Sequence, residues 1–191
     1  MIGAAFGGQL DILYVLLTAA VCLIATMNDT TAPSVSLEGK SLWIVQSLPV
    51  EPWEALRAKL RVQLLLTAPP ALFCLLCTAA VAPWSAATAL GALTVLLFAL
   101  FTALLGLTVG VKRPNLTWTS EIAPIKQSLG VMLALLLGWA VAALIAGGYF
   151  LLGKALGAAG YLAAVSVLLA VGDVLFYAWL KKRGSAIFAK L

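Results

Sequence analysis

Residues 86–111 read AATALGALTVLLFALFTALLGLTVGV, a run of apolar and small residues without a charged side chain. A helix needs ~20 mostly apolar residues to cross a bilayer, so this run is long enough to span it with some tilt. Four further apolar runs predict spans at about 12–27, 62–81, 129–152 and 156–180. The sequence therefore predicts an all-α fold: a single polytopic membrane helix bundle of five transmembrane helices that takes in residues 1–191.

The composition agrees with a membrane protein. Hydrophobic residues make up 63% of the chain and charged residues 10%, whereas about a quarter of the residues of a soluble domain are charged. So few charges cannot cover the surface of a water-soluble protein of this length, which excludes a soluble enzyme, a disordered chain and a nucleic-acid binder. The chain also lacks histidine, the commonest general base and metal ligand. We therefore expect no catalytic residue, metal site or cofactor in this chain.

The basic residues predict how the spans are oriented. Eleven of the twelve lysines and arginines lie between the first and second spans, between the third and fourth spans, or after the fifth span. The short turns at 82–85 and 153–155 contain only Lys154. Because lysine and arginine accumulate in cytoplasmic loops, we expect the N-terminus outside and the C-terminus in the cytoplasm. The short turns predict tight antiparallel pairs of the second and third and of the fourth and fifth spans.

The predicted cytoplasmic loop at 28–61 contains a short helix. Leu42, Val45 and Leu48 recur at helical spacing, and the proline that follows ends the helix. Pro52 suits the first position of a second helix, which is expected to continue into the second span. The short helix has two interpretations: a membrane-surface helix, or a docking element that transmits force between a soluble partner and the spans.

In order and spacing, the motifs around this helix resemble the permease subunits of type-2 ATP-binding cassette exporters. Those subunits have an acidic-Gly-basic segment, a short coupling helix, a Leu-Pro-Val-like exit and a Gly-Lys or Ala-Lys pair that opens the next span. In this chain the matching segments are Glu38-Gly39-Lys40, residues 42–48, Leu48-Pro49-Val50 and Ala58-Lys59-Leu60. The loop at 112–128 is also similar to that of an exporter subgroup with longer chains.

The resemblance implies a subunit in the bacterial cytoplasmic (inner) membrane that is driven by a separate cytoplasmic ATP-binding cassette ATPase. It also implies a second permease half or a homodimer within the lipid bilayer. The residues that would couple the ATPase to the spans are Glu38, Gly39, Lys40, Leu42, Val45, Leu48 and Pro49.

The chain departs from that family in its span count. A permease of that family resembles a bundle of six spans in which the coupling loop follows the second span. In this chain the corresponding loop follows the first span. We therefore expect a chain that corresponds to the C-terminal five spans, as a fragment, a truncated reading frame or a split subunit. Gly39-Lys40-Ser41 imitates the end of a phosphate-binding loop, but Ser34 occupies the position of the required upstream glycine. ATP hydrolysis is thus assigned to the partner; the alternative function is a non-transporting membrane scaffold or assembly factor.

Three features lie inside the predicted spans. Asp173 is about eight residues before the basic tail, roughly 12 Å along the helix. It is interpreted as part of a substrate or coupling path, as a protonated packed group, or as a group hydrogen-bonded to a polar neighbour such as Ser166. Gly106-x-x-x-Gly110 predicts close helix approach. Pro69-Pro70 predicts either a hinge or a bend accommodated by neighbouring helices.

Overall fold

The computed structural model describes residues 10–81, 85–116, 118 and 128–191. Most of the predicted turn at 82–85 and of the loop motif at 115–128 lies outside the described residues. The described residues form helices and contain no strand. In chain order the elements are α1 (Leu10–Thr26), α2 (Thr31–Glu38), a 3-10 turn (Gly39–Ser41), α3 (Leu42–Ser47), α4 (Pro52–Val81), α5 (Ala86–Lys112), α6 (Leu129–Trp179), a π-helical turn (Leu180–Gly184) and α7 (Ser185–Phe188).

Within the described residues, five segments are long and apolar enough to cross a membrane. They are Asp11–Glu38, Pro52–Thr78, Ala86–Lys112, Leu129–Gly153 and Ala155–Phe188. The all-α class and the predicted number of spans are therefore confirmed, while the orientation of the bundle stays a prediction.

The first span differs most from its prediction. The sequence predicts a cytoplasmic loop from residue 28 onward, but α2 continues the span after a short interruption. Five of the eight residues of α2 are buried, because the helix packs against α5. A Cβ atom added to Gly110 would lie 2.6 Å from the carbonyl oxygen of Ala32, and one added to Gly106 would lie 2.5 Å from Thr31 Oγ1. The close approach predicted from these two glycines is confirmed, and the helix that approaches is α2.

α4 begins at Pro52 and continues without interruption through Pro69 and Pro70 to Val81. The prediction that the second cytoplasmic helix runs into the second span is confirmed. Proline suits the first helical turn because the backbone N–H that it lacks would have no intrahelical partner there. α4 lies at the outside of the bundle. In its most apolar stretch of 18 residues 22% are buried, whereas 61% are buried in the corresponding stretch of α5. α5 is therefore the central helix.

α6 consists of two helices joined at Gly157. Gly157 has a φ of 66° and a ψ of 173°, which lie outside the helical region. A positive φ suits a residue without Cβ. Beyond it, Tyr161 Oη donates a hydrogen bond of 2.8 Å to the carbonyl oxygen of Ile145. The rings of Tyr149 and Tyr161 are 5.6 Å apart. The chain thus reverses near Gly157, and the fourth and fifth spans form the predicted antiparallel pair.

One buried apolar cluster joins the ends of several helices. We call it the end cluster; it takes residues from α2, α3, α4, α5, the π-helical turn and α7. Its members are Val35, Leu42, Leu56, Leu60, Ala103, Leu104, Leu107, Val111, Leu180 and Phe188. Through this cluster the short helices α3 and α7 are packed onto the spans instead of lying free.

Candidate functional site

The interruption between α1 and α2 is stabilised by Asp29. Its Oδ1 atom accepts hydrogen bonds from the backbone N of Thr31 at 3.1 Å and of Ala32 at 3.0 Å, and from Thr31 Oγ1 at 2.9 Å. The first N–H groups of a helix have no intrahelical partner and form its positive end. The carboxylate therefore satisfies these donors and starts α2 again inside the bundle.

Gln63 of α4 bridges the two sides of the interruption. Its side chain is 1% exposed. Gln63 Oε1 accepts from the backbone N of Thr30 at 2.7 Å and from Thr30 Oγ1 at 2.5 Å. Gln63 Nε2 donates to the carbonyl oxygen of Asn28 and, at 3.0 Å, to Thr67 Oγ1. A single amide thus satisfies backbone groups that the missing helical turn leaves without partners.

Two more hydrogen bonds complete the connection to the neighbouring helices. Asn28 Nδ2 donates to Thr67 Oγ1 at 3.2 Å. The single proton of the Thr31 hydroxyl has two alternative acceptors, Asp29 Oδ1 and the carbonyl oxygen of Ala103 in α5, each 2.9 Å from Thr31 Oγ1. We call this set the break network; it consists of Asn28, Asp29, Thr30, Thr31, Gln63 and Thr67.

The break network lies well inside the apolar part of the bundle. At 1.5 Å per residue, Thr67 is roughly 22 Å from the start of the candidate span Pro52–Thr78 and roughly 16 Å from its end. A cavity of about 110 Å³ opens beside it. Asn28 and Thr67 supply its polar groups, and the remaining wall is apolar, formed by Val21, Ile24, Ala25, Pro70, Ala71 and Cys74.

The structure brings the predicted coupling residue Glu38 into contact with α4. Glu38 Oε1 lies 2.5 Å from Lys59 Nζ, and the same ammonium donates to the carbonyl oxygen of Ser34 at 3.2 Å. This ion pair joins the acidic residue of the Glu38-Gly39-Lys40 motif to the Ala58-Lys59 pair. α2 is therefore attached to α4 at its C-terminal end as well as at the break network.

Gly39 sits in a turn that only glycine adopts readily. Its φ is 45°, and an added Cβ would lie 2.8 Å from Trp118 Nε1. That indole N–H donates to the carbonyl oxygen of Ser36 at 2.6 Å. Gly39 thus allows the indole to cover the end of α2. Lys40 follows in the 3-10 turn, and its side chain lies outside the described part of the chain.

α3 has one face on the protein and one face exposed. Leu42 belongs to the end cluster, and Val45 packs against it. Leu48 does not share this face, because the helix ends at Ser47 and Leu48 is extended, with ψ of 145°. The following proline disfavours helical geometry at this position. The exposed apolar surface, here called the α3 face, consists of Trp43, Ile44, Leu48 and Val50, and Pro49 is exposed beside it.

A groove of about 430 Å³ connects the break network with α3. It runs between α2, α3 and α4 and contains the Glu38–Lys59 ion pair. Glu38 Oε2 is buried and has no hydrogen-bond partner among the described residues. The residues along the groove are Thr30, Ser34, Leu37, Glu38, Val45, Ala55, Ala58, Lys59 and Val62.

Asp173 lies on the second half of α6. Its side chain is 4% exposed, and neither carboxylate oxygen has a partner among the described residues. Ser166, considered above as its partner, instead shares a hydrogen bond of 2.9 Å with Thr94. Among the described residues, no hydrogen bond or ion pair joins Asp173 to the predicted coupling residues.

Sequence reasoning missed the break network because it assigned residues 28–61 to a loop. One feature of the sequence could have indicated a polar network inside the membrane. Gln63 and Thr67 are four residues apart and so share a face of an apolar helix, which indicates a polar partner inside the membrane. The residues of that partner, Asn28-Asp29-Thr30, could not be identified from their position in the sequence.

In comparisons with known proteins, no protein family, no curated protein and no solved structure matches this chain.

Proposed function

We propose that this chain is the membrane-spanning permease subunit, or part of one, of an ATP-driven exporter in the bacterial cytoplasmic membrane. A separate ATP-binding cassette ATPase would bind the α3 face and supply the energy, and a second permease half or a second copy of the chain would complete the transport path. The observation that carries the proposal is the construction of α3: a two-turn helix packed on its inner face and apolar on its outer face.

The inner face makes α3 suitable for transmitting force. Leu42 and Val45 join it to the end cluster, and the 3-10 turn joins it to α2. α2 is attached to α4 through the Glu38–Lys59 ion pair and through Gln63. A displacement of α3 would thus move α2 together with α4. This arrangement favours a docking helix over an isolated surface helix, which needs no such connections.

The break network supplies the point at which this movement would reach the membrane interior. Discontinuous membrane helices are a recurring feature of transporters, where the broken backbone lies at the substrate or ion site. Here the interruption separates α1 from α2, and the polar atoms of Asn28 and Thr67 face a cavity of about 110 Å³. Pivoting at Met27–Thr30 would change the shape of this cavity.

The test measures an ATPase that is bound to the protein. The full-length tagged chain is purified from its native membrane in mild detergent, and ATP hydrolysis in the eluate is measured. Trp43→Ala combined with Leu48→Ala should reduce the associated hydrolysis about tenfold or more, because an aromatic anchor at the centre of an interface contributes ~2 kcal/mol or more.

Ile187→Ala serves as the control, since Ile187 is a partly exposed apolar residue of α7 outside the α3 face. It should leave the associated hydrolysis unchanged. Two outcomes would contradict the permease proposal and favour the non-transporting scaffold. One is that no ATP hydrolysis co-purifies with the unmodified protein, and the other is that the Trp43 and Leu48 double variant retains it.

A further inference from the structure

A second groove, of about 310 Å³, lies between the start of α4 and the C-terminal segment. It is independent of the α3 face and of the break network. The residues that line it are Glu51, Pro52, Trp53, Lys181, Ser185, Ala186 and Ala189. A volume of this size falls at the lower end of the ~300–1,000 Å³ range of pockets that hold small-molecule ligands.

The groove contains one acidic and one basic side chain that do not neutralise each other. Glu51 and Lys181 are both exposed. Among the described residues the ion pair that forms is the one between Lys59 and Glu38, so neither charge in the groove is paired. The Ser185 hydroxyl donates to the carbonyl oxygen of Lys181 at 2.6 Å. Among the described residues, the groove thus holds a carboxylate at the start of α4 and an ammonium in the C-terminal segment, and neither has an ion-pair partner.

Aromatic side chains favour a position of this groove at the level of lipid headgroups. Trp53 lines it and packs edge-to-face on Tyr177, with ring centroids 5.0 Å apart. Close by, Lys112 Nζ lies 4.5 Å from the ring centre of Trp179. Tryptophan and tyrosine concentrate at membrane–water interfaces, and the groove lies where the candidate spans Pro52–Thr78 and Ala155–Phe188 meet the basic end of the bundle.

We propose that this groove binds a phospholipid whose headgroup carries a phosphate and a primary ammonium group, as in phosphatidylethanolamine. The phosphate would contact Lys181 and the ammonium would donate to Glu51. A primary ammonium has three N–H donors, and charge-assisted hydrogen bonds to a carboxylate are strong. The quaternary ammonium of phosphatidylcholine has no such donor, and phosphatidylglycerol has no positive charge for Glu51.

The experiment is a lipid competition on the purified full chain. Equal amounts of phosphatidylethanolamine, phosphatidylcholine and phosphatidylglycerol are added in detergent, and native mass spectrometry counts the lipids bound. Salt at about 0.5 M screens diffuse attraction to the basic residues. We expect phosphatidylethanolamine to exceed each competitor about tenfold. Glu51→Gln should lower the ratio of phosphatidylethanolamine to phosphatidylglycerol about tenfold, and Lys181→Gln should weaken the binding of both.

Glu54→Gln and Lys182→Gln are matched controls, because they remove the same charges from residues outside the groove. Each should change the lipid ratio less than about twofold. Equal binding of the three lipids would overturn the proposal, and so would a shift in Glu54→Gln as large as that in Glu51→Gln, since diffuse charge would then explain the selectivity. Neither result depends on an ATPase. The lipid proposal can therefore be contradicted while the proposed function stands, and the reverse.

Discussion

Gly106 determines how closely α2 can approach α5. A Cβ atom at this position would lie 2.5 Å from Thr31 Oγ1 and 2.7 Å from Asp29 Oδ1, so Gly106→Ala should displace the start of α2. We expect it to lower the free energy of unfolding by ~1–3 kcal/mol, measured by thermal or denaturant unfolding in detergent. Gly147→Ala is the matched control, because its Cβ would meet no atom within 4 Å. Equal stabilities of the two variants would contradict the close contact.

Gln63 should be essential for the break network. In Gln63→Leu the backbone N–H of Thr30 and the carbonyl of Asn28 lose the hydrogen bonds that the amide supplies. Burying such groups without partners costs ~1–3 kcal/mol, so we expect a loss of stability of that size in the same unfolding assay. Thr78→Val removes a hydroxyl from the same helix. Within the described part of the chain this hydroxyl bonds only to the carbonyl of Leu75, so its loss should cost clearly less stability. A neutral Gln63→Leu would mean that the interruption is stable without this amide.

At the scale of the elements, local patterns predict some helices well and others poorly. The helical spacing of Leu42 and Val45, and proline as the first residue of α4, are local signals, and both helices form as expected. α2 has a weaker local signal: Asp29 accepts its first N–H groups, but Thr31–Glu38 is short and of mixed polarity. Its position depends on Gly106 and Gln63, which lie far away in the sequence. Burial that is created by distant residues cannot be deduced from the buried segment alone.

α7 should hold α3 in place. The Phe188 side chain is 2% exposed within the end cluster, and its carbonyl oxygen accepts a hydrogen bond of 3.3 Å from Gln46 Nε2. Truncating a buried phenylalanine typically lowers the free energy of unfolding by ~3–5 kcal/mol. Because α7 is a terminal helix of one turn, we expect this loss to appear as local detachment of α7 from the end cluster. We expect Phe188→Ala to speed amide hydrogen exchange in Leu42–Ser47, whereas Ile187→Ala should not. Unchanged exchange in Phe188→Ala would show that α3 is held without α7.

At the scale of the whole molecule, hydropathy was sufficient to predict the number of candidate spans, because each span must be apolar along its own length. It was not sufficient to predict which helix is central. The greater burial of α5 follows from glycines that admit α2 and from contacts with α6. Asp173 is a second example. Its position inside a span is evident from the sequence, but the sequence does not show that Ser166 bonds to Thr94 and that Asp173 has no partner among the described residues.

The orientation of the bundle is tested by the accessibility of single cysteines. Ser85 precedes α5 and Ser47 ends α3, and both are exposed. In a background without the native cysteines, Ser85→Cys should react with a membrane-impermeant maleimide on intact cells. Ser47→Cys should react only after the membrane is permeabilised, because the basic residues are expected on the cytoplasmic side. The reverse pattern would place the α3 face outside the cell, where no cytoplasmic ATPase could reach it, and would contradict both the orientation and the proposed coupling mechanism.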